Sequence, residues 1–325
     1  CNSGTSALHL ALLACGIKEG DEVITTAQSF VATSLAILYC HAVPVFADID
    51  PNTGNLSSES VRSKITDKTK AILSVDWAGY PCDNEQLGNI CVDNGIAWFI
   101  EDAAHALGAT YQGFPIGFNP HFNSPTHTTL SFQAIKHVSC ADGGAVACRH
   151  TSHYEYLKKI RWFGIDRERD KSGELSERNY TLYPSELGFK YHLSNYNAAL
   201  GLGNLDGFHS RLSRRRSIAA RYFTELANVP GMTLMKYDSD RESSYWLFPV
   251  RVEKRLDFVR ALKAKGVPTS VVHMRIDKHP IFCQGIREDL VGQEIFDREQ
   301  IHIPMNDSLS DGDVELVVRT IQEGW

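Results

Sequence analysis

The chain has 325 residues, 43% of them hydrophobic and 22% charged, which is ample apolar material for a large domain plus a smaller one. Its net charge of -6 is carried by mixed charges along the whole chain, so it lacks the basic face that nucleic-acid binding requires. No run of about 18 apolar residues offers a membrane span, and eight cysteines without a CxxC pair read as buried thiols of a reducing, cytoplasmic compartment.

Residues 5–14 are apolar on every face and stop at Gly16, which predicts a buried helix closed by glycine. Short apolar runs at 22–25, 43–49, 71–75 and 96–100 alternate with helical patterns at 29–39 and 84–93. Strands apolar throughout, separated by helices, predict an α/β fold whose largely parallel sheet is covered on both faces. Residues 128–132 and 145–149 add two strands, joined across Lys136 and the Gly143-Gly144 turn. The stretch 151–187 is polar, with a charged patch from Asp166 to Arg178, and reads as a long surface excursion. One long helix is expected over 195–226, with the basic run Arg211 to Arg216 on its solvated face. Strands at 246–252 and 269–273 and helices at 256–265 and 311–323 then form a smaller unit. The expected division is 1–228 for the large domain and 229–325 for the smaller. His150 and His153 share a helical spacing but have no second ligand pair, so no metal site is expected. There is no signal-peptide pattern, and the chain opens at Cys1 inside a motif, so a preceding segment is expected.

Three segments carry candidate chemistry. Ser3-Gly4-Thr5 opens the first helix, where free N–H groups and the helix dipole favour an anion, although Ser and Thr are also ordinary N-caps. Asp102 follows Trp98-Phe99-Ile100 and so falls at the carboxyl end of a strand, where α/β sheets bind ligands; alternatively it caps a helix at 103–106. Lys136 ends the run from Ser131 through Phe132 and Ile135. Burial there would lower its pKa and make it a nucleophile toward an aldehyde; the alternative is a turn lysine in water. Pyridoxal phosphate (PLP) needs an anion site, a carboxylate facing its pyridine nitrogen and a lysine for its aldehyde. The chain offers one of each.

The segments SGTSALHLAL, GDEVITTAQSFVAT, EDAAHALGATYQG, SFQAIKHVSCADGGA and GFKYHLSNYNAALGLGNL, followed by HPIFCQ and IHIPMNDSLSDGDVELVV, span essentially the whole chain. In order and spacing they resemble the DegT/DnrJ/StrS family of PLP-dependent sugar aminotransferases. The resemblance implies fold type I, like aspartate aminotransferase: a mostly parallel large domain and a smaller α+β domain. It also implies PLP as cofactor, a homodimer with shared active sites, and amino transfer, commonly from L-glutamate, to a keto-sugar on a nucleoside diphosphate. By position, Lys136 would bond PLP and shuttle the proton, and Asp102 would pair with the ring nitrogen. His105 would approach the ring hydroxyl, Phe30 would stack on the ring, and Gly4, Thr5 and Ser131 would hold the phosphate. Lys190 and His192 stand where the family usually has asparagine and arginine reaching across the dimer. His273, Arg275 and His279 fall in the substrate region. Asp76 and Gln133 each replace a frequent histidine. A sugar dehydratase of the family is disfavoured because it carries histidine at the Lys136 position. A non-catalytic regulator is disfavoured by the retained lysine, aspartate and phosphate motif. A nicotinamide dehydrogenase lacks its glycine-rich fingerprint here.

Overall fold

The computed structural model describes residues 1–118, 120, 125–166, 180–184, 187–282 and 288–325. Most of the charged patch ending at Arg178, as well as Cys283 and Gln284, lies outside the described residues. The strands in chain order are β1 (Glu22–Thr26), β2 (Val43–Ala47), β3 (Thr69–Val75), β4 (Trp98–Asp102), β5 (Thr110–Tyr111), β6 (Phe114–Pro115), β7 (His127–Ser131), β8 (Gly144–Cys148), β9 (Met232–Leu234), β10 (Arg241–Glu242), β11 (Phe248–Val252) and β12 (Gln300–Ile303). The helices are α1 (Gly4–Ala14), α2 (Ala32–Tyr39), α3 (Ser58–Ser63), α4 (Asn84–Asp93), α5 (Thr151–Ile160), α6 (Asn195–Leu205), α7 (Phe208–Glu225), α8 (Arg255–Ala264), α9 (Val291–Glu299) and α10 (Asp311–Gln322).

The large sheet runs β2-β1-β3-β4-β7-β8. Every neighbouring pair is parallel except β7 with β8. Successive residues of a strand feed opposite faces. Val23, Ala71, Leu73 and Ile100 pack with Leu8, Ala11 and Leu12 of α1 and Ile37 of α2. Ile24, Ile72 and Phe99 pack with Val61 of α3 and Leu87 and Ile90 of α4. A sheet covered on both faces is what the unbroken apolar runs imply.

Four expectations are corrected. The excursion begins as helix α5, whose Leu157 and Ile160 bury against Leu10. The single long helix is two, α6 and α7, broken at Gly207 with φ near +70°. The 269–273 strand is reduced to one bridge, Ser270 with His302. The basic run also differs from a solvated face. Arg215 is buried and donates to Asp307 and to the Tyr245 carbonyl, while Arg214 pairs with Asp311 and Arg216 with Glu242.

In the C-terminal unit, β12, β11 and β9 form an antiparallel sheet. Its core joins Phe248, Val250, Ile301 and Ile303 to Phe258 and Leu262 of α8 and Val314 and Ile321 of α10, with Ile218 and Tyr222 supplied by α7. Among the described residues, no helix is long and apolar enough to cross a membrane.

Candidate active site

The carboxyl ends of the parallel strands converge on a cavity of about 260 Å³. The N-terminus of α1 forms one wall. Ser3 is its N-cap, extended in backbone, with its Oγ accepting the Ser6 N–H at 3.0 Å. Ser3, Gly4 and Thr5 all line the cavity, as does Ser131 from the end of β7. A Cβ at Gly4 would lie 2.9 Å from the Ser131 Cβ, so glycine is what lets this helix end seat against the strand. Gly144 does the same for β8, where a Cβ would enter the Ser3 backbone.

Asp102 is the last residue of β4 and is buried. Its Oδ2 accepts the Thr33 hydroxyl at 2.8 Å and its Oδ1 accepts the Ala104 N–H at 3.1 Å. No helix follows at 103–106, so the helix-cap alternative is set aside: the carboxylate secures a turn and faces the cavity. Burial pushes its pKa up, and the Thr33 and Ala104 bonds and the Lys136 charge oppose that rise.

Lys136 sits in the turn between β7 and β8, and its Nζ lies 3.8 Å from the centre of the Trp246 ring. Burial lowers its pKa to about 8, with the Asp102 charge pulling the other way. The water-facing alternative therefore gives way to an amine lodged in protein. His105 stacks on the opposite partner of this contact, its ring 3.8 Å from Trp246 and tilted by 18°. Its Nδ1 is buried and has no hydrogen-bond partner among the described residues. Burial first, and then the Lys136 charge, keep His105 well below the usual histidine pKa and hence neutral.

Phe30 precedes α2 instead of lying inside it, is 50% exposed, and meets His273 at 4.9 Å between ring centres on the cavity wall. Gln133 and Asp142 also line the cavity. Other expected residues lie outside its lining. Arg275 is fully buried, its guanidinium bonded to both Asp277 oxygens at 2.7 Å and to Glu294 at 2.6 Å. His279 closes the same loop, with its N–H on the Ile276 carbonyl. Lys190 is exposed and bridges Trp162, and His192 packs edge-on against Trp162 at 4.1 Å. Asp76 is buried behind the site, with Oδ1 accepting the Cys82 N–H at 2.9 Å.

Sequence reasoning missed Trp246 and Thr33. Trp246 read as the start of a strand, and Thr33 as one more position in an apolar helix. A tryptophan before a C-terminal strand carries no local sign that it reaches a lysine 110 residues earlier.

Residues 1–322 match the model of the DegT/DnrJ/EryC1/StrS aminotransferase family. The chain is 33% identical over 331 residues to the uncharacterised protein MJ1066 of Methanocaldococcus jannaschii, covering 99% of this chain and 84% of that one. Sugar aminotransferase CalS13 of Micromonospora echinospora superposes with a TM-score of 0.92 at 34% identity, over 100% of this chain and 86% of its own. DesV of S. venezuelae, solved in complex with a ketimine intermediate, gives a TM-score of 0.88 at 30% identity, over 99% and 83%. The mixed α/β architecture with its mostly parallel sheet is that of the fold-type-I sugar aminotransferases. By matched length, identity and fold alike, the chain belongs to the DegT/DnrJ/EryC1/StrS aminotransferase family.

Proposed function

We propose that the protein is a PLP-dependent aminotransferase that moves an amino group from L-glutamate onto a keto-sugar carried by a nucleoside diphosphate, as a homodimer with shared active sites. The observation that carries this reading is the meeting of Lys136, Asp102 and the N-terminus of α1 in one cavity. CalS13 is a sugar aminotransferase, which supports a sugar as acceptor.

The residues fit the cofactor on their own chemistry. The α1 N-terminus and the Ser131 hydroxyl offer donors to a phosphate, and the missing Cβ at Gly4 opens the approach. A buried carboxylate suits a protonated ring nitrogen, and the orphaned Nδ1 of His105 suits a polar ring substituent. Bound PLP supplies an aldehyde to carry the amino group and a ring that accepts electrons from the bond being broken.

The chain's own groups do the rest. Asp102, fixed by Thr33 and Ala104, would face the ring nitrogen and favour its protonated form. Lys136 would hold the cofactor through its aldehyde, and as a free amine its Nζ would carry a proton to and from the reacting carbon. Burial, which lowers its pKa to about 8 in the cofactor-free chain, favours the neutral amine that such a transfer requires. Phe30 offers an aromatic face, and His273 beside it meets the substrate. Arg275 and His279 act less directly: the Arg275 ion pairs, with the Ile276 N–H on the Ala27 carbonyl at 2.9 Å, hold the loop on which His273 sits. Lys190 and His192 serve the partner's site.

The test uses the two halves of the reaction. L-Glutamate alone should discharge the cofactor's colour and release an equivalent of 2-oxoglutarate, and a nucleoside-diphosphate keto-sugar should restore the colour and yield an amino-sugar nucleotide. Borohydride should fix the cofactor to Lys136. Labelling of another lysine, or no donor able to convert the cofactor, would overturn the reading.

A further inference from the structure

Trp246 reaches the cavity from the C-terminal unit, just ahead of β11. Its indole N–H donates to the Ile135 carbonyl at 2.9 Å, one residue before the lysine. One ring, then, meets three partners: the Ile135 carbonyl at its edge, the Lys136 amine 3.8 Å from its centre and the stacked His105 imidazole. The residues around it repeat the tie. Ser244 donates its hydroxyl to the His105 carbonyl at 2.9 Å and accepts His137 Nε2–H at 2.9 Å on its own carbonyl. The Leu247 N–H reaches the Ala78 carbonyl, and Arg215 holds the Tyr245 carbonyl at 3.1 Å. Segment 244–247 thus fastens the lysine-bearing turn to the loop that follows Asp102.

We propose that Trp246 is a positioning residue for Lys136, its indole face being the docking place of the lysine's free amine and its ring the brace that keeps His105 in plane. This rests on reading Lys136 as the lysine that bonds the cofactor. A lysine that leaves a covalent partner and must return to it has four flexible methylenes, and a defined free position limits the search. An aromatic face favours ammonium over neutral amine, so the indole opposes the burial that depresses Lys136.

The groups facing Lys136 make the effect readable. From β4 and its loop come Asp102 and His105, from the turn itself His137 and Asp142, and from the C-terminal loop His273 with His302 behind it. Burial lowers His137 and His273 to about 4 and His302 to about 3, and holds His105 well below its usual value. These imidazoles stay neutral while Lys136 titrates.

The experiment uses cofactor-free protein. Trp246 emission, taken as the difference between wild type and Trp246→Phe, is followed over about pH 6 to 10, alongside the rate at which an amine-directed sulfonate reagent labels Lys136. Emission and labelling should share one midpoint, and Lys136→Met should abolish the emission change. Trp246→Leu should lower the labelling midpoint by about 0.5 to 1 in pH, whereas Trp246→Phe, which keeps a ring face, should hold it within about 0.3. Emission indifferent to Lys136→Met overturns the proposal, whether or not the leucine variant folds, and so does an unmoved midpoint in Trp246→Leu. Borohydride labelling of a different lysine would sink the cofactor reading while leaving this titration intact, so the two failures are distinguishable.

Discussion

A protonated Lys136 is a cost to the cofactor-free fold, because its ammonium gives up water for an indole face and one carboxylate. Its folded pKa of about 8 lies below the ordinary lysine value of 10.5. The folded state therefore binds fewer protons than the unfolded chain between those values, and stability rises with pH across that window. Below about pH 8 the full penalty stands, an upper limit of about 3 kcal/mol. Lys136→Met, similar in length and uncharged, should raise the denaturant midpoint of the cofactor-free protein at pH 7 and flatten its dependence between about pH 8 and 10. A variant no more stable than wild type at pH 7 would contradict the burial of the ammonium. At this scale the sequence was partly legible. Lys136 stood out because a cation interrupts an apolar run, and Asp102 because an acid ends one. Thr33 and Trp246 are ordinary residues in ordinary runs, and only the fold brings them to those two.

Between elements, the critical contact is the end of α1 against β7 and β8. Gly144 N–H donates to the Cys1 carbonyl at 2.9 Å, and a Cβ on it would collide with the Ser3 carbonyl and the Gly4 nitrogen. These are backbone atoms with no room to rotate away. Gly144→Ala should push the helix end off the strand, costing about 1–3 kcal/mol of stability and weakening PLP affinity by at least tenfold. Gly312→Ala in α10 is the control: a Cβ there would meet the Ser310 Oγ at an ordinary 3.7 Å, so it should be neutral or stabilise by up to about 1 kcal/mol. Denaturant midpoints and cofactor titration check both, and an unchanged affinity in Gly144→Ala would remove α1 from the phosphate site. Element boundaries were readable where a local signal was strong. The α4 helix begins after a capping Asp83 and stops before Gly95, and its limits match the expected pattern. The break between α6 and α7 was missed because Gly207 is tolerable inside a helix, and only its positive φ ends one. The α5 helix was missed because it buries only Leu157 and Ile160 among polar residues.

At the scale of the molecule, the mixed α/β architecture with its mostly parallel sheet follows from the alternation of apolar runs, and the sheet order shows it. What one chain does not contain is a complete use for its surface. On α6, Tyr196 is 90% exposed and Leu202 71%, with Leu200 and Leu205 also open to solvent. The GFKYHLS segment just before that helix carries Lys190 and His192, both outside the cavity of their own chain. The proposed shared-site dimer gives both features a role, since a second copy would cover α6 and receive Lys190 and His192 at its site. A subunit with Lys136→Ala lacks its own amine but keeps the residues it lends; a subunit with Lys190→Ala and His192→Ala is the reverse. Each parent homodimer should be inactive, or nearly so. Coexpressed in equal amounts and paired at random, half the dimers are mixed and hold one intact site of two, so activity should recover to about a quarter of wild type. Recovery should follow the mixed dimer when the species are separated by differently tagged subunits. A mixed dimer no more active than its parents would show that these two residues do not act across the interface, and full activity in the Lys190→Ala, His192→Ala parent would show that they do not serve the site at all.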